Sequence, residues 1–208
     1  MKLHSSMLMA GIVAASLITG CATSKTAPKQ PAARPEAAPA KPQSLGKQRQ
    51  MLSEGYSMLY HDAGTLDLSE LILYVKLESD SMHAVVTAIS SYGDELKKDL
   101  EKIARDYPGV RIDLQPLPEI ELRKRKAIAK DRMKDFAPVV GKGGREYERT
   151  ILLSFANGLN HERHLCAVMA DAEPDANLKK FLLDSEKRFD GLYERVTGLL
   201  EKDYFKAP

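Results

Sequence analysis

His161-Glu162-Arg163-His164 is the stretch of this chain whose residue types come nearest to a catalytic motif. A zinc-protease site needs two histidines at i and i+4, so that both imidazoles face one ion, with a glutamate beside them as base. Here the spacing is i and i+3. With Ile151 at the centre of an apolar helix face, ~100° per residue turns His161 about 80° and His164 about 140° away from it. Spacing and angle therefore favour a solvated rim over a metal site. Di-iron bundles need Glu-x-x-His from two helices and a Glu from each of two others. None of His4, His61, His83, His161 and His164 has a glutamate three residues before it. Asp80 stands three before His83, where it suits a helix N-cap better than a ligand set. Glu148 and Glu162 do share the apolar face, but their spacing puts them roughly 21 Å apart along a helix, too far to chelate together. Each is expected to pair with a Lys or Arg of a neighbouring helix. His161, His164, Glu148 and Glu162 are thus the nearest approach to a metal set, and no catalytic residue or cofactor emerges.

A second chemistry is electrostatic. Arg123-Lys124-Arg125-Lys126, followed by Lys130, Arg132 and Lys134, makes a local basic patch against Glu119, Glu121, Asp131 and Asp135. Such a run is a solvated helix face by default, and can also meet a lipid head group, peptidoglycan or an acidic protein. Val140-Gly141-Lys142-Gly143-Gly144 lacks phosphate-loop spacing and reads as a hinge before a helix. Cys166 falls on an apolar stripe and is expected to be a buried thiol.

The elements that position these residues follow from composition. The chain has 208 residues, 31 Lys+Arg against 29 Asp+Glu, 43% hydrophobic residues and no Trp. That suits one domain with accessory sequence and leans toward helical packing. A net charge of +2 lacks the basic surplus of a nucleic-acid binder, and two cysteines build no disulfide scaffold. Residues 1–20 have a positive Lys2 and an apolar run from Met7 to Ile18, shorter than the ~20 residues a spanning helix needs. Ile18-Thr19-Gly20-Cys21 then resembles the lipobox of bacterial lipoproteins. The resemblance implies cleavage before Cys21 and acylation of that residue, which anchors the chain to a membrane. Ala22 stands where an Asp would resemble an inner-membrane retention signal, so the periplasmic face of the outer membrane is the expected address. In that compartment nucleic acid is not a partner. Residues 21–45 carry Pro28, Pro31, Pro35, Pro39 and Pro42 among Ala, Lys and Gln. Extended at ~3.1 Å per residue, such a tether reaches about 75 Å.

Residues 46–208 read as helices. A poorly patterned one spans 47–61 and ends near Gly64; another opens at Asp67, with Glu70 completing a capping-box-like pair and Leu68, Leu71, Ile72 and Val75 on one face. A third starts at Asp80 or Ser81 and carries Met82, Val85, Val86, Ile89, Gly93, Leu96, Leu100 and Ile103, with Gly93 placed for a close helix approach or a kink. Val110 to Leu114 alternates briefly, as an extended crossover between Pro108 and Pro116-Leu117-Pro118. A very polar helix occupies 119–136. The next, 145–171, aligns Tyr147, Ile151, Phe155, Leu159, Cys166 and Met169. The last opens at Pro174-Asp175 and turns Leu178, Phe181, Leu182, Phe189, Leu192, Val196 and Leu199 inward. Single apolar stripes must bury against one another, which predicts an all-α four-helix bundle with an extra N-terminal helix and an inserted polar helix.

Gly144-Arg145-Glu146-Tyr147-Glu148-Arg149 and Asp175-Ala176-Asn177-Leu178-Lys179-Lys180-Phe181 resemble the helix starts of a bacterial family of unknown function with a ferritin-like bundle. Lys76 to Ala104 is similar to its second helix. Members usually carry one histidine late in that helix and one midway along the third. Those positions fall here at about Tyr92 and Leu159, so no histidine pair carries over. The expected protein is a non-enzymatic, membrane-anchored lipoprotein whose bundle is a structural or interaction module, partnered by an envelope protein or peptidoglycan. The alternatives are a ferritin-like metal-binding or redox protein and a bundle that binds a small ligand.

Overall fold

A computed structural model of the chain describes residues 45–70, 79–135 and 143–205. Cys21, the tether up to residue 44, the stretch from Leu71 to Val75 and the glycine at 141 lie outside the described residues. Within them the protein is an all-α bundle of five helices: α1 Leu45–Asp67, α2 Asp80–Asp106, α3 Glu119–Asp135, α4 Gly144–Ala172 and α5 Ala176–Leu200. A short 3-10 turn, Leu68–Glu70, follows α1, and a π turn, Glu201–Phe205, follows α5.

The antiparallel neighbours α4 and α5 pack most extensively, and α1 packs on α2; α1 then meets α4, and α2 meets α5. The apolar stripes supply this core. Met82, Val86, Ile89, Leu96 and Leu100 of α2 are buried with Ile151, Leu152 and Leu159 of α4 and Leu182, Phe189 and Val196 of α5. Tyr92 meets Phe189 edge to face, with ring centroids 5.1 Å apart.

The helix starts are capped chemically. Ser79 accepts from the Met82 N–H, so the cap of α2 stands one residue before the expected Asp80. Asp175 accepts from the Asn177 and Leu178 N–H groups at the start of α5. Gly144 enters α4 at φ 57°, a left-handed conformation that favours glycine.

The N-terminal region differs from the sequence expectation. α1 runs on to Asp67 without the break expected near Gly64, and exposed Leu68 opens a 3-10 turn; the remainder of the helix expected from Asp67 lies outside the described residues. Nor is α1 an addition outside the bundle, since Leu52, Tyr56 and Leu59 lie in the core. Its opposite side is buried by the segment after α2. Ser53 Oγ donates to the Gly109 carbonyl at 3.2 Å, Ser57 Oγ donates to the Arg111 carbonyl at 3.1 Å, and the Leu114 N–H donates back to Ser57 Oγ at 3.1 Å. Thus the segment 110–114, with a turn at 108–109 and a bend at Ile112, lies along a helix and is held by serines in place of a neighbouring strand. Gly93 brings α2 against the end of α1: a Cβ there would sit 2.4 Å from the Asp67 backbone nitrogen. Close approach, not a kink, is its function.

Candidate functional site

Among the described residues the buried carboxyls, Glu148, Glu162 and Glu173, lie along α4 and its C-terminal loop. Near the start of α4, Glu148 accepts from the Ser79 N–H and from the Tyr204 hydroxyl. It therefore ties α4 to the cap of α2 and to the π turn, where Arg145 also stacks over the Tyr204 ring at 5.5 Å. Burial raises the Glu148 carboxyl, but the donors from Tyr204 and Ser79 outweigh it and hold the group below the usual carboxylate range. The partners are a tyrosine and a backbone amide, not the Lys or Arg expected.

Beyond the end of α4, Glu173 has a fully buried side chain that accepts from both guanidinium nitrogens of Arg49, at 3.1 and 3.2 Å. It also accepts from Tyr56 Oη and from the Asp175 N–H, both at 3.1 Å. This hub joins α1 to the α4–α5 turn. Sequence reasoning missed it, because Glu-Pro-Asp reads as an ordinary turn and its partner Arg49 lies 124 residues away.

Between these two lies Glu162, 8% exposed. Its carboxyl is within hydrogen-bond reach of Asp62 on α1, and Asp62 in turn pairs with Arg125 of α3 at 3.4 Å. Burial first, and then the Asp62 charge and hydrogen bond, push Glu162 up to about 9. Two carboxyl oxygens can hydrogen-bond only if one carries a proton, and burial favours Glu162 as the group that keeps it, with Arg125 beside the pair. Glu162 Oε2 is buried with no hydrogen-bond partner among the described residues. One turn on, Cys166 is fully buried, and burial followed by the Glu162 charge pushes its thiol up, away from nucleophilic chemistry.

His161 and His164 are both exposed on the far side of α4 from these carboxyls. Among the described residues no group of three or more His, Cys, Asp or Glu side chains gathers to hold a metal ion. Shallow surface grooves among the described residues include one of about 470 Å³ beside Arg49, Ser53 and Arg111 and one of about 270 Å³ beside Tyr107 and Phe181.

The basic run occupies α3. Glu121, Leu122 and Arg125 are half-buried on its inward side. Arg123, Lys124, Lys126 and Lys130 are exposed, with Arg123 paired to Glu119 at 3.0 Å and Lys124 to Glu121 at 2.6 Å. The inward glutamate also holds Arg125, at 3.3 Å. The four expected patch residues are therefore split: three face water and Arg125 fastens the helix to the bundle. No protein-family model matches this chain, and no curated protein or solved structure matches it. No described helix is long and apolar enough to cross a membrane.

Proposed function

We propose that this protein is a lipid-anchored component of the cell envelope, acylated on Cys21, whose helical domain is a structural or interaction module on the periplasmic face of an outer membrane. We read α1, α2, α4 and α5 as a ferritin-like four-helix arrangement with α3 inserted; the cycle of packing from α1 to α2, α5, α4 and back supports it. The observation that carries the functional reading is a division of labour among charged groups. Glu148, Glu162 and Glu173 are spent on holding helices together, whereas exposed Arg123, Lys124, Lys126 and Lys130 are presented on one helix. A catalytic or redox site needs several such groups converging where a substrate can reach them.

The anchor is tested on the protein made in its host. Mass spectrometry of the mature N-terminus is expected to find acylated Cys21, and Cys21→Ser to leave an uncleaved or unanchored chain. A mature terminus at another, unmodified residue overturns the anchored reading. The module is tested by crosslinking in cells followed by purification, which is expected to recover an envelope partner.

A further inference from the structure

The polar helix α3 buries almost nothing, and that demands a reason. A helix without an apolar stripe gains little from packing and survives on side-chain pairs and a few tertiary contacts. Here the tertiary hold is Arg125 on Asp62 together with half-buried Leu122. The breakers Pro116 and Pro118 precede it, and Gly143 stands before α4 with Gly144 as its first residue. Besides half-buried Glu121, the other described side chains of the helix are exposed, and what they offer is specific. At ~100° per residue, Ile120, Arg123, Lys124, Lys130 and Lys134 share the side opposite Leu122 and Arg125 with one acid, Asp131, which pairs with Lys134 at 3.4 Å, and all six are exposed. Ile120 is 75% exposed.

Charge is also segregated across the domain. By sequence, α3 carries seven basic and four acidic residues, while the remainder of 46–208 has 19 basic and 24 acidic. An anionic surface therefore attracts this helix and repels the body behind it, which fixes which way the domain turns. An isoleucine set among outward lysines gains nothing from a fully hydrated polyanion, but gains from insertion into a headgroup layer.

We infer that α3 is the domain's membrane-facing surface, and that its outward Arg123, Lys124, Lys130 and Lys134 bind the headgroups of anionic phospholipids with Ile120 inserted among them. The inference rests on the lipid-anchored reading, since an acylated Cys21 keeps the domain within tether reach of a bilayer and raises the effective concentration of headgroups. Arg125 on Asp62 holds α3 in register, so that its basic side points away from the bundle.

The experiment uses the natively acylated protein in nanodiscs, with hydrogen exchange followed through 119–135. In phosphatidylglycerol discs at low salt these amides are expected to exchange at least about tenfold more slowly than in phosphatidylcholine discs, because each surface Lys or Arg favours an anionic bilayer about fivefold. Half-molar salt, or Lys130→Glu with Lys134→Glu, should remove the difference while α4 and α5 keep their protection. Equal exchange in the two discs overturns the inference, as does protection that the double variant retains or that appears only when an acidic protein is added. If Cys21 proves unmodified, the anchored reading fails by itself. Sedimentation of the unacylated chain with phosphatidylglycerol vesicles then decides α3 independently, and failure to sediment overturns the inference.

Discussion

Glu162 and Glu148 sit on one helix, and the fold moves their proton affinities in opposite directions. Glu162, buried against Asp62, holds its proton up to about 9. A carboxyl whose folded value lies above its unfolded one contributes stability that is complete below the ordinary Glu range and is lost as pH rises through the folded value. The loss approaches about 1.4 kcal/mol per pH unit for one proton. Glu148, held low by its donors, contributes stability that is present at neutral pH and is lost as pH falls through the acid range. Urea unfolding should therefore give a higher midpoint at pH 6 than at pH 8.5, and Glu162→Gln should flatten that interval. A wild-type midpoint that rises over it would sink the assignment of the shared proton. Tyr204→Phe removes one of Glu148's donors at a charged acceptor and is expected to cost about 1.5–3 kcal/mol. The same substitution should flatten the acid limb of the stability profile, because the folded value of Glu148 rises toward its unfolded one, and a titration of urea midpoints reads this. None of these pairings was legible in the sequence beyond the burial of Glu148 and Glu162 on one stripe. Asp62 and Tyr204 reach them from distant elements, and no local pattern marks a carboxyl that will be met by another.

At the scale of elements, periodicity carried α2, α4 and α5, because their buried residues are large and apolar at helical spacing. It failed on α1, where the buried set is Leu52, Ser53, Gly55, Tyr56, Ser57, Leu59 and Ala63. Small polar residues are buried there because a backbone segment, not a side-chain stripe, covers that face. A reading based on apolar spacing therefore sees a weak, short helix. The glycines separate the two kinds of surface experimentally. Gly93→Ala forces a Cβ onto the α1 backbone and is expected to cost about 1–3 kcal/mol. Gly191→Ala, in α5 with nothing within 4 Å of the added carbon, should stabilise by about 0.5–1 kcal/mol. Thermal or urea unfolding of the two variants should move in opposite directions; a neutral Gly93→Ala would mean that the α1–α2 crossing is wider than described. Phe189 is fully buried against Tyr92, and its truncation to alanine should cost about 3–5 kcal/mol.

For the molecule as a whole, the separation of charge between α3 and the body is the property with functional consequence. Composition alone shows a domain near neutrality, and the placement of α3 on the outside, with Arg125 turned in, sets its other described basic side chains in solvent. The basic run was visible as a run; its division into fastening and presenting residues needed the bundle. The measurement that tests the central claim most directly is a photocrosslinking scan in cells. A photoreactive residue would replace Ile120 or Lys130 on α3, and, in separate variants, Val168 on α4 or Leu183 on α5, all exposed. An anchored module that works through α3 predicts envelope adducts from the two α3 positions and few from the others. Adducts from Val168 or Leu183 with none from α3 would contradict it.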